Sequence, residues 1–225
     1  MNRIDRSEQT NIVSAFIDEI KSWRNYERCL KVAISNFSVF NIADSTIQIA
    51  SGFDWECEVD VKSQFGLILG DFPLGMNRVD YECLNHKLKI RRNWAELLNA
   101  LKFLEKEGIA IFLVEPIGFS GAEGIKFESA LNSCGYFINA IFNAPEGVLQ
   151  PETSITPILV LISKNPTSSV FIAELLNETH SRKVANNYFS ERDSGDLKQG
   201  MKIPEKTFHG FSRIKIKQQI EKLET

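Results

Sequence analysis

One stretch constrains the fold more than any other: Gln64-Phe-Gly-Leu-Ile-Leu-Gly-Asp-Phe-Pro-Leu-Gly75. Phe65–Leu69 is a short, continuous apolar run closed by a glycine, which is the pattern of a buried strand. Gly70 frees the backbone to turn, and Asp71 follows at the strand's carboxyl end. Pro73 and Gly75 then stop the ladder. In open α/β sheets, ligands gather at the carboxyl ends of strands. Asp71 is therefore a candidate site carboxylate presented by a stiff loop. The competing reading is a strand-ending aspartate in an ordinary turn, and this stretch alone does not separate the two.

The rest of the chain supplies elements for an α/β sheet. Ile12, Val13, Phe16, Ile17, Ile20 and Trp23 fall at helical spacing and predict a helix over Ser7–Val32. Phe37–Ile42 and Thr46–Ala50 are β-prone, Asp54 follows the second of them, and residues 54–63 read as an acidic loop. Arg78–Lys89 reads as loop or irregular helix. Around His86, the cations Lys87, Lys89, Arg91 and Arg92 cluster, either as a solvated face or as contacts to nucleic-acid phosphates.

Asn93–Glu107 is a predicted helix capped by Asn93 and ended by Gly108. The strand Ile109–Val114 follows and ends at Glu115-Pro116, giving one αβ unit of a parallel sheet. Gly118–Gly124 opens a helix, Ile125–Ser133, but lacks the Gly-Lys-Ser/Thr of a phosphate loop. Further strands are expected at Tyr136–Phe142, Thr156–Ser163 and Ser169–Leu175. Asn177–Phe208 reads as a long polar surface loop. In Arg213-Ile-Lys-Ile-Lys217, an extended chain puts Arg213, Lys215 and Lys217 on one face, as a solvated edge or as DNA-backbone contacts.

Several segments, taken in order, resemble N6-adenine DNA methyltransferases, in particular the modification subunits of type I restriction systems. They are Gly108–Pro116, Gly121-Ala-Glu-Gly124, Ile141–Pro145, Thr153-Ser-Ile155, Ile158–Lys164 and Gly210-Phe-Ser-Arg213, and the likeness runs over roughly residues 46–220. The resemblance implies a methyltransferase-like, Rossmann-type α/β fold. Its sheet would be mainly parallel with helices on both faces and an antiparallel C-terminal strand pair. It also implies S-adenosylmethionine as cofactor, and DNA or a partner protein chain as partners.

In the family motif, an acidic or amide residue accepts from the adenine amino group, two prolines follow, and an aromatic residue stacks on the base. Here Asp71 matches the first position and Pro73 the third, Phe72 replaces a proline, and Leu74 replaces the aromatic. Asp54 matches an acidic residue near the cofactor's adenine.

The glycine loop of the family is absent. Before Gly66 there is one glycine, Gly52, and the predicted helix stands where the family has its first strand. Glycines are needed there because the backbone must approach the ligand closely. The expectation is a methylase-like domain with impaired catalysis and weak cofactor binding, or a non-catalytic scaffold in a DNA-binding or defence complex. A third reading is an unrelated α/β domain with the same strand order. The expected organisation is one domain: a helical segment over residues 1–45, the core over 46–176, and a polar loop and extension over 177–225.

Composition excludes other classes. With 225 residues, 43% hydrophobic and 24% charged, the chain suits one sizeable core and neither a disordered nor a fibrous protein. Its longest apolar runs fall far short of the roughly 20 residues of a membrane helix, and the N-terminus has no apolar signal region. A net charge of −3 confines any nucleic-acid contact to a local basic patch. Cys29, Cys57, Cys83 and Cys134 lie far apart, so free thiols, a cytoplasmic location and no metal site are expected. His180 and His209 stand alone and read as surface residues.

Overall fold

A computed structural model describes residues 6–24, 26–34, 38–40, 47–83, 86–116 and 122–204, and the structural statements below concern those residues. In chain order the elements are α1 (Arg6–Trp23), β1 (Cys29–Ala33), β2 (Ile47–Ser51), a 3-10 turn (Trp55–Glu58), β3 (Phe65–Asp71), β4 (Arg78–Cys83), β5 (His86–Arg91), α2 (Arg92–Leu101), β6 (Leu104–Val114), α3 (Ala122–Ser133), β7 (Phe137–Asn143), β8 (Ile158–Ser163), β9 (Ser169–Glu174), α4 (Glu178–Phe189) and β10 (Met201–Pro204).

Eight strands form one sheet in the order β10-β9-β7-β8-β6-β3-β1-β2. β1 pairs in parallel with β2 and β3, β3 with β6, and β7 with β9. β8 runs antiparallel between β6 and β7, and β10 antiparallel to β9. The expected mainly parallel sheet is present, with β3 and β6 inside it and the antiparallel strand at Ile158–Ser163. Alternating residues feed two cores. Ile12, Phe16 and Ile20 of α1 and Val184 of α4 pack with Leu67, Leu69 and Leu113 on one face. Trp94 and Leu97 of α2 and Phe127 of α3 pack with Ile68, Phe112 and Phe72 on the other.

Two glycines let β3 sit where it does. A Cβ on Gly108 would lie 3.0 Å from the carbonyl oxygens of both Phe65 and Gly66, so only glycine lets β6 approach β3 there. A Cβ on Gly70 would lie 2.4 Å from Phe112 Cδ1 and 2.9 Å from Phe72 Cε2.

The structure corrects five readings of the sequence. The first helix ends at Trp23, and Cys29–Ala33 is a strand buried on both faces, a short apolar run that periodicity alone does not tell from helix. Arg78–Arg91 is a hairpin, with Val79, Tyr81, Leu88 and Ile90 on one face and charged residues on the other. Asn93 does not cap α2: the residue before the helix is Arg91, and Asn93 lies buried in its first turn. β6 begins at Leu104, ahead of Gly108. Asn177–Phe208 contains α4, capped by Asn177 accepting from the His180 N–H at 2.9 Å, and β10. A smaller correction concerns thiols. Cys29 and Cys57 are free, whereas Cys134 is disulfide-bonded.

Candidate functional site

The parallel strands all end on one side of the sheet. Asp71 closes β3, Glu115 follows β6, and Asn143 closes β7. Asp71 stands beside Leu113 in the register, and Val114 and Asn143 both lie opposite Ile158, so the three polar residues share one edge.

Asp71 is where the sequence places it, at the strand's carboxyl end, but it is turned inward and only 5% exposed. Its Oδ2 accepts the Val39 N–H at 2.6 Å, and the Ser38 hydroxyl also bonds it. Both partners belong to the connection between β1 and β2, residues 34–46, which contains no glycine. Burial pushes the Asp71 carboxyl up to about 6, against the opposing pull of Val39, Ser38 and the Lys31 ammonium. Burial in turn lowers the Lys31 ammonium, and Asp71 partly offsets that.

The next three residues do not converge with Asp71. Phe72 is 1% exposed in the core on the α2 and α3 side, its ring stacked on Phe112 at 6.1 Å and 20°. Pro73 and Leu74 are half-buried, and Leu74 packs against the opposite core. The loop after Pro116, expected to complete a concavity here, lies outside the described residues. Asp54 is exposed, immediately before the 3-10 turn that follows β2.

Glu115 and Asn143 are edge residues that the sequence reading did not single out. Glu115 is 3% exposed, accepts from Asn93 Nδ2 at 2.5 Å and faces Arg91 Nε at 3.3 Å. Burial raises its carboxyl, and its own backbone N–H, Asn93 and Arg91 oppose that. Asn143 is 2% exposed, and neither atom of its amide has a hydrogen-bond partner. The available signal was a strand ending in a polar residue just before a proline, at Glu115-Pro116 and at Asn143-Ala-Pro145.

The hairpin redistributes the predicted basic cluster. Arg91 faces Glu115, while Arg92 pairs with Glu96 at 3.3 Å and lies 4.2 Å over the Phe53 ring. Lys87 and Lys89 are exposed, opposite Glu82 and Asp80 on the neighbouring strand. Between β5 and α3 runs a groove of about 300 Å³ in which Lys87, Lys89 and Arg91 meet Lys126, over Trp94 and Phe127. Lys126 was invisible as a member of this group because it is 35 residues along the chain from Arg91. Arg213, Lys215 and Lys217 lie outside the described residues. Among the described residues, no group of three or more His, Cys, Asp and Glu is placed to hold a metal ion. No helix there is long and apolar enough to cross a membrane.

No family model matches the chain, and no curated protein matches it. Solved structures do. The methyltransferase subunit of a type I restriction-modification system from Streptococcus thermophilus superposes with a TM-score of 0.58 at 14% identity, over 86% of this chain and 53% of that one. The fold is that of the methyltransferases. A modification subunit of a putative type I restriction enzyme from Vibrio vulnificus gives 0.58 at 13% identity, over 88% of this chain and 55% of that one. A putative class I S-adenosylmethionine-dependent methyltransferase from Listeria monocytogenes gives 0.55 at 11%, over 79% and 69%. The chain thus spans about half the length of the two modification subunits.

A parallel strand, β1, does stand beside β3, so α1 precedes a first strand and does not replace it. The glycine-free connection follows β1 directly. Val39 and Phe40 are fully buried side chains, and the Val39 amide is committed to Asp71.

Proposed function

We propose that this chain is a methyltransferase-fold module of restriction-modification type with impaired methyl transfer, which serves as a scaffold within a DNA-binding or defence complex. The carrying observation is the hydrogen bond from the Val39 N–H to Asp71. An adenine-N6 enzyme needs that carboxylate free to accept from the base and needs the preceding connection free to cradle the cofactor. Here each occupies the other. Phe72 lends no aromatic face in compensation, since its ring is in the core.

Calorimetry of the full chain with S-adenosylmethionine at millimolar concentration tests the reading. No heat of binding is expected. A micromolar Kd, about −8 kcal/mol, returns the chain to the active adenine-N6 methyltransferases. Binding that emerges only with a partner chain bearing a glycine loop marks a split enzyme.

DNA contact in this reading runs along the groove between β5 and α3. Lys87→Ala and Lys89→Ala are each expected to weaken duplex binding equally across sequences and to lower the salt slope by about one. Fluorescence anisotropy between low and moderate salt measures this. An unchanged slope in the double variant removes the groove from the interface.

A further inference from the structure

The two outer strands of the sheet are protected differently. β10 carries Lys202 and ends in Pro204, both devices that discourage edge pairing. β2, with the sequence Ile-Gln-Ile-Ala-Ser, carries no charge and no proline, and pairs only with β1 among the described residues. Its Ile49 side chain is 61% exposed.

The direction of the free backbone groups follows from one hydrogen bond. The Ser51 N–H is given to Glu58 Oε2, away from β1. Backbone groups alternate sides along a strand, so Ile49 also turns its N–H and C=O outward, while Gln48 and Ala50 face β1. The flank of this edge is acidic: Asp54, Glu58 and Asp60 are exposed, with Glu56 half-buried beside them.

We propose that the outer edge of β2 takes up an extended, uncharged β-strand of a partner protein that is flanked by lysine or arginine. Main-chain hydrogen bonds to Ile49 supply affinity, as in strand addition generally, and the carboxylates after β2 select the flanking cations. A second copy of this chain is a poor occupant, because edge-to-edge pairing would bring two acidic flanks together. The proposal is independent of whether the chain methylates anything.

The test uses the full chain and a fluorescent peptide of alternating threonine and valine with two lysines at each end. Binding by anisotropy is expected, and a peptide with glutamates in place of the lysines should not bind. Ile49→Pro removes the outward N–H without touching the β1 ladder and should weaken binding by at least about tenfold, whereas Ile49→Thr keeps the N–H and binds within about threefold. Should Ile49→Pro fail to fold, the double variant Glu56→Lys/Asp60→Lys gives the second reading: preference should swap to the glutamate-flanked peptide. No binding of the lysine peptide, equal binding of both peptides, or a dimer in sedimentation that Ile49→Pro dissolves would each overturn the proposal.

Discussion

Replacing Phe72 by alanine is expected to lower the stability of the folded chain by about 3–5 kcal/mol, as deletion of a buried aromatic ring does. The ring is 1% exposed, and its stacking on Phe112 adds to the area it buries. Collapse around the cavity is limited, because Gly70 and Phe112, which border the ring, are paired with each other in the β3–β6 ladder. Gly70 is the third member of this arrangement, since its missing Cβ leaves the room that the two rings fill. Urea denaturation checks the expectation: the midpoint should fall with the slope unchanged. A motif residue reserved for contact with a flipped base would behave oppositely. Its loss would leave the midpoint in place and alter only nucleic-acid binding.

Phe72 also illustrates what was legible in the sequence. Short continuous apolar runs closed by a glycine or a proline marked the buried strands at Phe65–Leu69 and Ile109–Val114, because a strand covered on both faces reads as such a run. The ordered segments around them carried the methyltransferase fold. Periodicity failed where two elements meet without a breaker. Cys29–Ala33 follows α1 across Arg24–Arg28, which holds no glycine or proline, and only the parallel partners on both sides of β1 identify it as strand.

The hairpin at Arg78–Arg91 was missed for a related reason, since its strong charge hid the alternation of Val79, Tyr81, Leu88 and Ile90. α4 had an available signal in Asn177 followed by Glu178, with Val184, Ala185 and Tyr188 at helical spacing. The site was legible as a position and not as an environment. Asp71 could be placed at a strand end from its neighbours, but its partner Val39 is 32 residues away and depends on β1 standing next to β3.

That environment makes the second expected result a matter of pH. Asp71→Asn should stabilise the folded chain above about pH 6 and leave its stability unchanged near pH 4. Burial raises the Asp71 carboxyl from 3.8 to about 6 in the folded chain. Below the unfolded value both states hold the proton, and the residue costs nothing. Between the two values the folded state holds the proton more tightly than the unfolded state, so stability falls as pH rises. Above the folded value the full cost of the buried charge is present, about 3 kcal/mol for a displacement of roughly two pH units.

The amide removes that cost and keeps the local bonds. Its oxygen accepts the Val39 N–H, and Ser38 offers an oxygen to its N–H groups. Urea midpoints of both proteins from pH 4 to pH 8 check this. The gap should open with an apparent midpoint below pH 6. A gap that is constant with pH, or a variant less stable than the parent at pH 8, would mean that the folded chain holds a charged Asp71 as comfortably as water does. The carboxylate would then again be a candidate to meet a ligand rather than its own backbone.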